Sequence, residues 1–230
     1  MDDATAVVTG ATRGIGRAVA EEFAAAGAHV VCCSREADDV SAVVEAIETD
    51  GGTATGIRAD VRDEYDVERL MGTAARIGGE IDVVVACAGV YHGTPGETPI
   101  DGEAYSAYDD HLRTNARGVF ATLREAAPHL APEARALVPT GSVARDGTPG
   151  IGTYAVSKAA AEAIVRGFAA DLDQTVGCVD PGQVATGLSG EHGRDPADVA
   201  PMFRWAAVDA PAEELDGTVV GLREWKTATR

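Results

Sequence analysis

The chain has 230 residues, 45% of them hydrophobic, and 37 acidic against 19 basic residues give a formal charge of -18. That content can bury a full core and is most simply one globular domain spanning 1–230. Acidic residues spread along the chain without a long like-charge run exclude the basic face that nucleic acid requires, and an acidic disordered tail as well.

Two of the 19 basic residues are lysines, Lys158 and Lys226, and the other 17 are arginines. A uniformly acidic, lysine-poor surface repels itself at low ionic strength, and salt screens that repulsion. Two readings stand side by side: a halophilic protein, or an ordinary acidic protein from an arginine-favouring, GC-rich genome. Cys32, Cys33, Cys87 and Cys178 fall in apolar segments without Cys-x-x-Cys spacing, so they read as structural thiols and not as zinc ligands. No charged-then-apolar signal opens the chain and no apolar run reaches the ~18 residues of a membrane span, which points to a cytoplasmic protein with no membrane partner.

Thr5 to Thr9 reads as a strand that ends in Thr9-Gly10-Ala11-Thr12-Arg13-Gly14-Ile15-Gly16, after which Ile15, Val19 and Phe23 recur at helical spacing. Glycines in such a turn let the backbone approach a ligand, and the free N–H groups at the helix start attract phosphate. The spacing is Gly-x-x-x-Gly-x-Gly and not the commoner dinucleotide fingerprint. Ala28 to Cys33 is a second apolar strand, ending at Ser34-Arg35-Glu36, where an adenosine ribose would lie. Arg35, with Arg13 from the glycine turn, suits a 2′-phosphate and so favours NADP(H) over NAD(H); Glu36 could instead accept from an unphosphorylated ribose.

Strands and helices then alternate. Val40 to Thr49 reads as a helix, Thr53 to Ala59 as a strand, Asp63 to Ile77 as a helix and Ile81 to Cys87 as a buried strand. Asp60-Val61 follows the third strand, where Asp60 could cap a helix or hydrogen-bond adenine. Cys87-Ala88-Gly89 ends the fourth strand, and Val90 to Gly102 is a loop that would border a substrate. A helix from about Glu103 runs through Asn115 to His129, Pro128 and Pro132 stop it, and Ala134 to Val138 is a fifth strand that leads into Thr140-Gly141-Ser142. A long helix to about Leu172 follows, with Ile164, Phe168 and Leu172 as its core stripe, then Thr175 to Val179 as strand six. Residues 183–200 read as a lid over a bound ligand, followed by a helix from Ala197 to Ala207 and a last strand near Thr218 to Leu222. Such alternation predicts a doubly wound, seven-stranded parallel sheet with helices on both faces.

Tyr154-Ala-Val-Ser-Lys158 places a phenol and an ammonium one helical turn apart on one face. A fixed positive charge beside a phenol, whose free pKa is about 10, favours the phenolate and makes Tyr154 a candidate acid or base.

Taken together in this order, these motifs make the chain resemble the short-chain dehydrogenase/reductase family over nearly its whole length. Thr9 to Gly16 is similar to the cofactor turn, Asp60 to the adenine-contacting aspartate, Asn115 to the helix-four asparagine, and Ser142, Tyr154 and Lys158 to the catalytic serine, tyrosine and lysine. Pro181-Gly182-Gln183-Val184-Ala185-Thr186 is similar to the segment that holds the nicotinamide carboxamide. Two departures stand out. Cys87-Ala88-Gly89 replaces the family's Asn-Ala-Gly, removing an amide that ties the central strands, and Thr140-Gly141 precedes Ser142 where a serine pair is usual.

The resemblance implies a single-domain Rossmann fold and an NAD(P)-dependent interconversion of a ketone or aldehyde with an alcohol. In it Tyr154 is the acid/base, Ser142 holds the substrate oxygen, Lys158 supports Tyr154 and binds the nicotinamide ribose, and Asn115 holds a relay water. The cofactor set it implies is Gly10, Thr12, Arg13, Gly14, Ile15, Gly16, Ser34, Arg35, Asp60, Val61, Ala88, Gly89, Tyr154, Lys158, Pro181, Gly182, Val184 and Thr186. The C-terminal segment looks like the carbonyl-reductase-like branch, and the family's habit implies a homodimer or homotetramer. A dinucleotide-binding regulator of the same fold is the alternative.

Overall fold

The computed structural model describes residues 1–230. Seven parallel strands form one sheet in the order β3-β2-β1-β4-β5-β6-β7. They are β1 (Thr5–Thr9), β2 (His29–Ser34), β3 (Thr53–Arg58), β4 (Ile81–Ala86), β5 (Leu130–Pro139), β6 (Thr175–Asp180) and β7 (Val219–Gly221). The helices between them are α1 (Gly14–Ala25), α2 (Ala37–Thr49), α3 (Glu64–Gly78), α4 (Tyr105–His111), α5 (Gly118–Ala126), α6 (Thr153–Asp171) and α7 (Pro196–Val208). Two short helices, α8 (Ala212–Leu215) and α9 (Leu222–Ala228), flank β7.

Period-two alternation splits each central strand between two cores. Ala6 and Val8 of β1, Val30 and Cys32 of β2, and Val83 and Val85 of β4 face one layer, which holds Phe23 of α1, Ile47 of α2 and Phe203 of α7. Val7, Val31, Cys33, Val84 and Ala86 face the other, which holds Leu70 of α3, Leu123 of α5 and Val165 of α6. With both faces covered, the strands read as continuous apolar runs. The strand order reverses between β1 and β4, opening a crevice at the carboxyl ends of the strands.

Several expectations are corrected. Strand β5 begins at Leu130 and passes through Pro132, because the register jumps from Ile81↔Leu130 to Val83↔Arg135 and the proline sits in that irregularity, where no ladder donor is needed. The helix expected from Glu103 to His129 is interrupted by a π-helical turn at Leu112–Arg117. In α6 the fully buried positions are Ser157, Ala161 and Val165; the stripe Ile164, Phe168 and Leu172 is only half-buried at the rim of that core. Small side chains let α6 lie close to the sheet, which turns the larger residues outward. Residues 196–200, within the segment read as a lid, form the first turns of α7, with Val199 and Ala200 buried.

Candidate active site

Every residue singled out above for catalysis or cofactor binding lines one cleft of ≈ 690 Å³ at the carboxyl ends of the strands. The glycine turn between β1 and α1 forms one wall. Gly10 has φ +65°, and a Cβ there would lie 2.7 Å from Ala88 Cα, so only glycine allows the β1 and β4 ends to meet this closely. The start of α1 carries no side-chain cap, which leaves its first N–H groups and positive dipole end free for an anion. Thr186 closes over this point, its Cγ2 being 3.3 Å from where a Gly14 Cβ would stand.

The loss of an asparagine at position 87 does not leave the central strands untied. Thr9 Oγ1 accepts from Ala88 N–H at 3.2 Å, joining β1 to the end of β4. Cys87 reaches the cleft but its thiol is packed in protein, and burial pushes its pKa up to about 11. It is a neutral thiol near pH 7.

At the adenosine end, Ser34, Arg35, Glu36, Asp60 and Val61 line the cleft. Asp60 caps no helix: Asp63 caps α3, accepting from Tyr65 and Asp66 N–H. Asp60 is instead gripped by Arg62, whose Nε and Nη2 donate to its two oxygens at 3.0 and 2.7 Å. Burial alone would raise the Asp60 pKa, but the hydrogen bonds and charge of Arg62 hold it below the usual carboxylate value. Arg62 also donates to Asp110 at 3.1 Å, and Asp110 bonds His92 Nε2 at 2.8 Å.

At the other end, α6 presents Tyr154 and Lys158, and the turn after β5 presents Ser142. Lys158 Nζ donates to Pro139 O at 2.6 Å, fixing the ammonium at the tip of β5. Asn115 lies in the π-helical turn. Its Oδ1 accepts from Val90 N–H at 2.8 Å, while its Nδ2 donates to Val90 O and to Ser157 Oγ, both at 2.9 Å. The side chain is thus committed to protein on both atoms.

Residues not found from sequence complete the surroundings. Glu103, whose side chain is 4% exposed, accepts from Thr153 N–H at 2.5 Å and so caps α6 immediately before Tyr154. Its other oxygen, Oε1, is buried without a hydrogen bond, 3.4 Å from His111 Nδ1. His111 is fully buried, its Nε2 accepts from His92 N–H at 2.9 Å, and Nδ1 therefore carries the proton and donates to Thr153 Oγ1 at 2.9 Å. Arg145 bridges the buried Glu162 of α6 and Asp180 of β6, locking the Ser142 turn to both. A histidine four residues before Asn115 on a buried helical face was the one signal in the sequence that could have found this cluster.

A dinucleotide cleft with tyrosine, lysine and serine at one end defines a nicotinamide-dependent α/β enzyme, and known proteins narrow that class. The family described as short chain dehydrogenase matches residues 4–197. The short-chain reductase protein NovJ of Streptomyces niveus is 37% identical, over 95% of this chain and 86% of its own length. Versicolorin reductase of Emericella nidulans is 32% identical, over 96% and 95%. A short chain dehydrogenase of Burkholderia cenocepacia, crystallised with NADP, superposes with a TM-score of 0.85 at 29% identity, covering 96% of each chain. A dehydrogenase/reductase of Sinorhizobium meliloti superposes at 0.86 with 30% identity, over 96% and 94%. This chain belongs to the short-chain dehydrogenase/reductase family and is an oxidoreductase. No helix in it is long and apolar enough to cross a membrane.

Proposed function

We propose that this chain interconverts a ketone or aldehyde and its alcohol, with NADP(H) preferred to NAD(H) and Tyr154 as the proton donor and acceptor. The observation that carries the reading is the joint placement of Ser142, Tyr154 and Lys158 along the cleft that starts at the uncapped end of α1. The residues present suit the cofactor. Gly10 and Gly14 with the start of α1 would hold the pyrophosphate, Arg13 and Arg35 a 2′-phosphate, Val61 and the Asp60–Arg62 pair the adenine side, and Pro181 to Thr186 the carboxamide. When bound, the cofactor supplies or takes up the hydride.

The protein's own groups handle the proton. In reduction, the Tyr154 hydroxyl gives its proton to the carbonyl oxygen as negative charge develops there, and the Ser142 hydroxyl donates a second hydrogen bond to the same oxygen. Lys158, held by Pro139 O, keeps a positive charge one turn along α6 from Tyr154. Asn115 pins Val90 and Ser157, which fixes the wall opposite. The segment from Gln183 to Asp195 closes over the ligand as a turn laced by Ala185 N–H to Arg194 O and Arg194 N–H to Gln183 O. Phe120, 44% exposed, lies 5.7 Å from the Phe168 ring, and with Val156 offers an apolar α5–α6 face for a homodimer or homotetramer.

The test is nicotinamide absorbance with NADPH or NADH and a panel of small carbonyls. Turnover that favours NADPH, with Arg35→Ser weakening NADPH by about 10-fold and NADH little, supports the reading. Cofactor binding without turnover of any carbonyl or alcohol would favour a dinucleotide-binding regulator.

A further inference from the structure

The reductase reading leaves open what the carbonyl is attached to, and the surroundings of Tyr154 carry that further. Tyr91, from the loop after β4, lines the cleft with its ring edge-on to that of Tyr154, centroids 5.0 Å apart at 67°. The buried His111 ring is stacked on Tyr91 at 5.8 Å and 15° and lies 6.0 Å from the Tyr154 ring, so the three rings form one cluster. The Tyr91 hydroxyl donates to Thr98 Oγ1 at 3.2 Å, and His111 is itself fixed at both nitrogens, so the Tyr91 ring is a fixed wall. Val90, Val143, Ile151 and Leu188 complete that end of the cleft.

Charge is distributed with the same bias. Of the cations lining the cleft, Arg13 and Arg35 sit at the tips of β1 and β2, Arg62 is spent on Asp60 and Asp110, and Lys158 is bound to Pro139 O. Of the carboxylates, Glu36, Asp39 and Asp60 lie at the adenosine end and Asp180 is paired with Arg145. A carboxylate on the substrate would lose water beside Tyr91 and compete with Tyr154 for the Lys158 charge, and an ammonium would gain no partner, which is costly in both cases. A flat ring would gain an aromatic contact.

Building on the reductase assignment, we propose that the substrate is an uncharged carbonyl compound bearing an aromatic ring next to the carbonyl, and that Tyr91 selects it. The ring packs on Tyr91 and brings the oxygen between Ser142 and Tyr154. Acidic carbonyls are disfavoured because the one cation at this end, Lys158, is held at Pro139 O beside Tyr154 and serves the phenol.

Three carbonyls of one skeleton test this on the NADPH-loaded enzyme: acetophenone, cyclohexyl methyl ketone with a puckered ring, and phenylglyoxylate with a carboxylate in place of the methyl. Acetophenone is expected to exceed the cyclohexyl ketone in kcat/KM by about 10-fold and phenylglyoxylate by more than about 100-fold. Tyr91→Leu should erase the first advantage, bringing the two neutral ketones within about 2-fold of each other whatever their common rate, and Tyr91→Phe, which keeps the ring, should preserve the advantage. Calorimetric binding of acetophenone to the NADP⁺ form, where no turnover occurs, should weaken in Tyr91→Leu by a similar factor. Equal use of phenylglyoxylate, or of the two neutral ketones by the wild type, overturns the inference and leaves the reductase reading standing, and this holds even if Tyr91→Leu does not fold. Uniform loss for both neutral ketones in a folded Tyr91→Leu overturns the role of Tyr91. If none of the three, and no other carbonyl, is reduced, the reductase assignment itself fails and the inference with it.

Discussion

Glu103→Ala probes the support of the catalytic helix directly. The Glu103 side chain, 4% exposed, is the acceptor for Thr153 N–H at the first position of α6, and Thr153 is buried, so water does not replace the lost oxygen. Loss of a helix cap costs about 1 kcal/mol, and a buried N–H left without a partner about 1–3 kcal/mol; these describe one event and are not summed. Removing a carboxylate whose Oε1 has no hydrogen bond returns part of the cost, so about 2 kcal/mol remains. For a chain of this size that lowers the melting temperature by roughly 4–8 °C. Glu103→Gln keeps an acceptor for Thr153 but turns an amide N–H toward His111 Nδ1–H, so it should fall between the two. Thermal melts of the three proteins are the assay, with turnover measured in parallel, since Tyr154 is the next residue and kcat should fall. A melting temperature for Glu103→Ala within about 1 °C of wild type would refute the reasoning.

Other outcomes follow from neighbouring groups. Burial holds His111 below the usual imidazole value of 6.5, outweighing the pull of Glu103 and Asp110 toward protonation, with His92 adding to the lowering. The unfolded chain then takes up a proton that the folded chain resists, so stability should decline as pH falls below about 6.5, and His111→Leu should lose that slope in denaturant melts across pH. Asp60, Asp66 and Asp110, all held below 3.8, keep their contribution until pH falls below that value and lose it progressively further down. Gly10→Ala forces a side chain to φ +65° against the Ala88 backbone, and cofactor titration should show affinity reduced by about 10-fold or more. If the -18 charge reflects a high-salt habitat, melting temperature and activity should rise from low to molar salt; unchanged values would leave the arginine-favouring genome as the explanation.

Much of the fold was legible because a two-sided parallel sheet writes its strands as apolar runs such as Val83 to Ala86, and its helices as stripes such as Val19 and Phe23. The site was legible where chemistry demands particular residues at short spacing, as with Tyr154 and Lys158 or the glycine turn. What stayed hidden depends on contacts between distant segments. Glu103 caps a helix 50 residues away, and nothing near Glu103 in the chain announces Thr153. Thr9 likewise replaces the missing amide at position 87 from another strand, whereas Arg62 claims Asp60 two residues away, through a local turn after β3 that no spacing rule marks. Pro132 misled because proline reads as a stop to the preceding helix, whereas here it occupies a register irregularity inside β5.

The proton role of Tyr154 is the central claim, and Tyr154→Phe tests it most directly, because the substitution removes one hydroxyl and keeps the ring against Tyr91. Turnover of the best carbonyl should fall by about 100-fold or more while NADPH affinity stays within about 2-fold of wild type. A variant that retains more than a few per cent of wild-type turnover would contradict the account.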